Sequence, residues 1–342
     1  MKRLGFLALV SLWVGCIPAE VGEVHPEATR IYASGAGALR LLVYLGVADR
    51  VVAVEEVETK RGVGGIPPYR EAYPFSELPV GGEMHGRDHV ERLLGLPEPP
   101  TLVVKVETPG LGMSSEELER RTGIQVYGIP QQDGTVAQLC EILTDLGEQL
   151  GKRERAREVT SFFREQIAEL ERRTAGIPWE ERPVVFLGGV SYRGAHGFHA
   201  TAPDYLPFVW THTRNVAAGE GSFAVISAEQ ILAWDPDVLF LDMGTLALGT
   251  ASGRAELQGH PLYSRLSAVR AGRVHLLLPR SSYQANWECQ LANAWKIGKV
   301  LYPERFSDIH PGQKANEIVT FLTGRPLEEE TLGLVFSGEE GP

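Results

Sequence analysis

The chain has 342 residues, a length that favours two cores over one. Hydrophobic residues make up 43% and charged residues 23% of it, as in an ordinary soluble globular protein. The formal net charge is -11 and the acidic residues are dispersed, which argues against nucleic acid as a partner, because phosphate binding needs a basic face.

Lys2 and Arg3 precede the apolar run Leu4 to Gly15. A basic head followed by an apolar stretch of this length reads as a secretory signal, too short to span a bilayer. The run ends Leu12-Trp13-Val14-Gly15-Cys16, which resembles the lipobox of bacterial lipoproteins, where the cysteine is acylated. Gly15 fits that pattern and Trp13 departs from it, so a plain cleaved signal is the alternative. Residues 1–16 are therefore expected to be a signal ending at a lipidated Cys16, and 17–28 a short tether. The expected location is periplasmic or cell-surface, with membrane contact through the lipid anchor alone. Cys140 and Cys289 can pair or stay as buried thiols, and no metal-type cysteine spacing is present.

A first α/β unit is expected within 17–151. Arg30 to Ser34, Val51 to Val54, Leu102 to Val106 and Ile124 to Tyr127 read as strands. Ala38 to Gly46, Val90 to Leu96, Ser114 to Thr122 and Val136 to Leu150 read as helices, the third opened by Ser114-Ser115-Glu116-Glu117. Gly62 to Gly82, rich in Gly and Pro, reads as an irregular loop. Short apolar strands separated by helices indicate a parallel sheet covered on both faces. Residues 152–174 contain neither Pro nor Gly, and Phe162, Phe163, Ile167 and Leu170 recur at helical spacing on a charged background. A helix of that length, roughly 30 Å, can bridge two lobes. The pattern restarts in 175–342, with strands at Val184 to Leu187, Val238 to Leu241 and Val274 to Leu277. Helices are expected at Ala228 to Ala233, Ala292 to Leu301 and Asn316 to Gly324. The fold class is thus α/β, with two parallel-sheet lobes joined by one long helix.

Several stretches in this order resemble the periplasmic binding proteins of iron-siderophore, haem and cobalamin importers. They are Leu42 to Gly46 with Ala48-Asp49-Arg50-Val51-Val52-Ala53-Val54, Leu146-Gly147 through Gly151, Ser227-Ala228-Glu229-Gln230 and Asp235-Pro236-Asp237-Val238. Ile297 to Phe306 and Phe321-Leu322-Thr323-Gly324 continue the match, which covers nearly the whole chain after the signal. The resemblance implies a rigid linking helix, a ligand cleft between the lobes, and a monomer. It further implies delivery of a small-molecule metal chelate of iron, cobalt or nickel to an ABC permease and its ATPase, with no intrinsic cofactor.

Ligands of α/β lobes sit beyond the C-terminal ends of strands and favour domain interfaces. In the first lobe this selects Ser34-Gly35, either a helix cap or a source of free N–H groups for an anion. It also selects Glu83, His85 and Arg87, either a solvated loop or donors to a metal or carboxylate chelator. Lys105 and Glu107 end the strand from Leu102. In the second lobe it selects Ser191 to Thr201, which holds Tyr192, Arg193, His196, Phe198 and His199 among glycines. An aromatic beside a cation suits a flat or anionic ligand, and tyrosinate or imidazole can ligate a metal. Asp242 and Met243 either face the cleft or cap the next turn. In Ser281 to Glu288, Tyr283 and Trp287 can stack on an aromatic chelator, or Trp287 can belong to the core. Metal ligands, if any, are expected among His85, Glu107, Tyr192 and His196. Glu55, Glu56 and Glu58 are candidate surface acids for the permease.

No nucleophile elbow, phosphate loop or HExxH motif is present, which argues against an enzyme. The alternatives are a receptor for free metal ions and a metal-dependent hydrolase using His85, His196 and His199.

Overall fold

The computed structural model describes residues 29–60, 67–132, 134–249 and 252–336. The signal-like segment with Cys16, and the tether, lie outside the described residues.

The N-terminal lobe contains β1 (Ile31–Ser34), β2 (Val51–Glu55), β3 (Val80–Glu83), β4 (Arg87–Asp88), β5 (Leu102–Val106) and β6 (Gln125–Ile129). They form one sheet in the order β4-β3-β2-β1-β5-β6, parallel except for the β3–β4 hairpin. Every residue of β1 and β5 is buried, as helices on both faces of a parallel sheet require. The stretch expected as an irregular loop holds the helix Pro68–Glu71 and the strand β3. Its two glycines hide the strand from pattern reading. They are needed because a Cβ at Gly81 would lie 2.6 Å from the Tyr32 ring beneath it.

The second lobe contains β7 (Val184–Gly188), β8 (Ala200–Thr201), β9 (Arg214–Asn215), β10 (Ala224–Val225), β11 (Val238–Asp242) and β12 (Val274–Leu277). The sheet is β12-β11-β7-β9, all parallel, and β8 pairs with β10 antiparallel beside it. The chain order places the reversal of strand order between β1 and β5 in one lobe and between β7 and β11 in the other. Those are the points where loops diverge and leave a crevice.

The linking helix runs Arg153–Thr174, 22 residues and roughly 33 Å long. It buries Ala156, Val159, Thr160, Phe163, Leu170 and Thr174 along one stripe, with Phe162 and Ile167 packed at its margin. Both ends are fastened. Arg155 Nε–H donates to the Tyr44 carbonyl at 3.0 Å in the first lobe, and the same guanidinium donates to the Phe321 carbonyl. At the far end Arg173 makes a bidentate pair with Asp308 at 2.6 and 2.8 Å.

The last helices depart from the expected boundaries. Trp287–Leu301 begins five residues before Ala292, and Pro311–Thr323 begins before Asn316. The latter packs against the helices Ala38–Tyr44 and Pro68–Glu71 of the first lobe, and Phe321 stacks on Phe162 at 4.1 Å. The second half of the chain therefore reaches back across the molecule, and the lobes are joined by more than the linking helix. A final helix, Glu329–Phe336, carried no sequence expectation. Cys140 and Cys289 are both buried and free. No helix among the described residues is long and apolar enough to cross a membrane.

Candidate ligand-binding cleft

The loops that follow β1, β2, β3, β7 and β12 meet where the lobes face one another. Six non-glycine residues among those described have positive φ, and four of them lie in these loops. They are His85 at 67°, Arg193 at 51°, Tyr283 at 51° and Gln284 at 97°. Such conformations persist only where surrounding contacts over-determine them, and they concentrate at functional sites.

Direct contacts cross the boundary here. The His85 amide donates to the Tyr283 hydroxyl, and the two rings lie 5.4 Å apart. The Tyr283 hydroxyl donates in turn to Glu55 Oε2 at 2.5 Å. The Arg40 guanidinium donates to the Ser282 carbonyl at 3.0 Å and to Asn286 Oδ1 at 2.5 Å. His85 has its imidazole pKa held down by burial and by the charges of Arg87, from its own lobe, and Arg193, from the other. Its ring is thus kept neutral and its Nδ1 is buried without a partner.

Arg87, Tyr192 and Arg193 are exposed at the rim, as is Met84. Tyr192 is stacked on Phe223 at 4.7 Å, and the Arg193 guanidinium lies 5.3 Å from the Tyr192 ring centroid. His196 sits 5.0 Å from Phe223, and its Nε2–H donates to the Tyr192 carbonyl at 2.8 Å. In that tautomer Nδ1 carries the acceptor lone pair. The loop is anchored from below by Glu256, whose carboxylate accepts the Phe198 N–H at 3.0 Å.

Other expected site residues stand elsewhere. Phe198 is 0% exposed and packs edge-on against Phe186 and Tyr263, so it is a core side chain. Trp287, 2% exposed, opens a buried helix and belongs to the core as well. Ser34 is fully buried and its hydroxyl donates to Asp88 at 2.6 Å, while the Gly35 N–H donates to Glu55 at 2.9 Å. These groups are consumed internally and are not open to an anion. Lys105 is buried against Asp88 at 2.6 Å. Glu107 accepts the Ser115 N–H at 2.9 Å, and hydrogen bonding to Ser115, side chain first and then backbone, holds its carboxyl below the usual range. Asp242 caps the turn after β11, accepting N–H groups of Gly244 and Arg280, both at 2.7 Å. Glu55 and Glu58 are 1% and 4% exposed and cannot serve as surface acids, whereas Glu56 is exposed. Glu83 is exposed at the hairpin, 3.6 Å from His89. Among the described residues, no three or more His, Cys, Asp or Glu side chains are grouped so as to hold a metal ion. A shallow depression of about 610 Å³ beside the β3–β4 hairpin is lined by Arg87, His89, Met113 and Glu117, all of one lobe.

Two contributors carried no sequence expectation of a site role. Phe223 sits in a segment without periodicity. Glu55 closes β2 and falls under the same strand-end rule that selected Ser34, but its acidic neighbours disguise it as surface.

Gly35 has φ 83°, and a Cβ there would lie 2.0 Å from the Val106 carbonyl oxygen. Gly35→Ala is expected to cost about 1–3 kcal/mol, measured by urea unfolding. An unchanged midpoint would show that the loop after β1 relaxes freely.

Two α/β lobes that present strand ends to a shared cleft across a fastened helix define a two-lobed solute-binding fold. Residues 33–280 match the family model for periplasmic binding proteins, and the chain belongs to that family. No curated protein matches the chain in sequence. Among solved structures, a periplasmic solute binding protein from Veillonella parvula is similar at 17% identity and TM-score 0.70, covering 91% of this chain and 92% of that one. The molybdate periplasmic binding protein MolA of Haemophilus influenzae is similar at 16% identity and TM-score 0.66, covering 89% and 95%. The periplasmic heme-binding protein RhuT from Roseiflexus is similar at 20% identity and TM-score 0.57, covering 81% and 99%.

Proposed function

We propose that this protein is the solute receptor of an ABC importer, that it is exported and anchored by Cys16, and that it captures an anionic metal chelate in the cleft and passes it to the permease without turnover. The observation that carries the chelate reading is that Arg87 and Arg193, from opposite lobes, both act electrostatically on His85 in a chain of net charge -11. Two guanidinium groups facing one cleft can select an anion, Arg193 foremost, since Arg87 stands 4.0 Å from Glu83. Tyr192, stacked on Phe223, and Met84, both 44% exposed, add an apolar surface for the body of a ferric siderophore, haem or corrinoid. The heme and molybdate named for the two relatives are both anionic, in keeping with this reading. Capture of bare metal ions is less well supported, since a bare ion needs several converging ligands and no such group stands among the described residues.

The test is thermal unfolding of the chain from residue 17 with ferric siderophores, haem, cobalamin, molybdate and free divalent metals. A ligand at about 100 times its Kd adds about 2.7 kcal/mol of stability. A melting shift is expected with one chelate class. The triple variant Tyr192→Ala, Arg193→Ala, His196→Ala should weaken that ligand roughly tenfold or more, the scale of one lost charge-assisted hydrogen bond, with its own unfolding unchanged. Unchanged affinity in that variant, or shifts with free metals alone, would overturn the assignment.

A further inference from the structure

We propose that Glu55 is the positioning residue that makes the binding loops of the two lobes a single site. Its two carboxylate oxygens face different lobes. Oε1 accepts the N–H groups of Gly35 at 2.9 Å and Gly86 at 2.7 Å, and so ties the loop after β1 to the turn of the β3–β4 hairpin. Oε2 accepts the Tyr283 hydroxyl at 2.5 Å, and that hydroxyl accepts the His85 N–H. One buried side chain therefore determines two turns of the first lobe and the 281–286 loop of the second.

The turns it holds are those that resist formation elsewhere. His85, Gly86, Tyr283 and Gln284 all have positive φ, and only the glycine adopts it without strain. Gln284 also reaches the first lobe, where a Cβ on Gly37 would meet it at 3.3 Å. A carboxylate suits the role because in its ionised form both oxygens accept and neither carries a hydrogen. An amide in the same place would present N–H groups to one of the two sets of donors. The groups around Glu55 are Asp88, neutralised by Lys105 at 2.6 Å, together with Tyr32, Tyr283 and His85, with Glu58 beyond Tyr283. Lys105 also donates to the Gly86 carbonyl at 3.1 Å, so the hairpin turn is gripped from both sides. If the cleft takes its ligand as proposed above, the same carboxylate sets the spacing between His85 and Tyr283.

The test uses the ligand-free protein, so it succeeds or fails independently of the cargo. Amide hydrogen exchange, corrected for intrinsic rates, is followed in Glu55→Ala, Glu55→Gln and Tyr283→Phe. Glu55→Ala should lower protection at Gly35, Gly86 and the 281–286 loop by at least about tenfold, the scale of losing one charge-assisted hydrogen bond. Tyr283→Phe should release only His85 and the 281–286 loop. Glu55→Gln should rescue Gly35 and Gly86 but not 281–286. Full protection of 281–286 in both Glu55→Ala and Tyr283→Phe would overturn the proposal. Loss at Gly35 and Gly86 in Tyr283→Phe equal to that in Glu55→Ala would also overturn it, by showing general loosening. If Glu55→Ala does not fold, Tyr283→Phe and Glu55→Gln decide: both should release 281–286 while Gly35 and Gly86 stay protected, and full protection of 281–286 in both overturns the proposal.

Discussion

Arg40→Met is expected to lower the stability of the protein by about 3–5 kcal/mol, read from urea unfolding, as when one partner of a buried ion pair is removed. Arg40 is 1% exposed and Glu288 is 0% exposed, and their charged groups stand 3.6 Å apart at the junction of the lobes. The guanidinium also lies 4.3 Å from the Tyr69 ring centroid and bonds Ser282 and Asn286. On the other side Glu288 accepts the Tyr44 hydroxyl, and its Oε1 has no partner. Removing Arg40 leaves a buried carboxylate with one side-chain hydrogen bond, and the desolvation of that charge dominates the loss. Adding Glu288→Leu to Arg40→Met should recover most of it, because an apolar replacement of both partners is often neutral. A loss below about 1 kcal/mol in Arg40→Met would show that water or a neighbour reaches Glu288 and that the pair does not fasten the lobes. The same contacts hold Ser282 and Asn286 on either side of Tyr283, so the variant should also loosen the cleft.

The two lobes and the linking helix were legible because each rests on a pattern long enough to repeat. Leu102–Val106 and Val238–Asp242 are fully buried strands, and their short length and the prolines that precede them separate them from helices. The two-residue strands β4, β8, β9 and β10 are too short to carry a period and were invisible. The first turn of Trp287–Leu301 is hidden because Glu288 and Gln290 break the apolar stripe, although both are buried inside. The cleft was legible through a rule about strand ends, which places His85, Arg193 and Tyr283 at facing loops. The rule says nothing about which way a side chain points. Phe198 and Trp287 have the composition of stacking residues, yet each turns into the core, and Glu55 has the composition of a surface acid yet is buried. Burial of a polar group in a loop depends on partners distant in sequence, here Gly35, Gly86 and Tyr283, and single-chain spacing does not reveal them.

Stability should fall as pH rises from about 4 to about 7, the reverse of acid denaturation. Burial pushes the Glu55 carboxyl up to about 7 and that of Asp242 up to about 6. Glu71, half-buried and facing Glu328, is also pushed up to about 7, first by burial and then by its acidic neighbour. A carboxyl whose folded pKa exceeds its unfolded value keeps its proton longer in the folded state. Between the two values the native protein holds more protons than the unfolded chain, so stability declines through that window and is level above it. For Glu55 and Asp242 the decline is about 3 kcal/mol each as an upper scale. Carboxyls of opposite sense do not cancel it, because their window is lower, but His85, whose imidazole is held down by burial and by Arg87 and Arg193, gains stability as pH rises toward the ordinary histidine range and offsets part of the decline. Glu169, partly buried, and Asp308, exposed, are held at about 2 by Arg172 and Arg173 and contribute only as pH falls below the ordinary carboxylate range. The unfolding free energy should therefore peak near pH 4–5 and slope downward to neutrality. Glu55→Gln and Asp242→Asn should each flatten part of that slope, and the double variant most of it. A profile that is level from pH 5 to pH 7, and unchanged in slope by Glu55→Gln, would mean that the hydrogen bonds from Gly35, Gly86 and Tyr283 outweigh desolvation at Glu55. Glu55 would then be ionised across that range, and its hold on the loops would not change with pH.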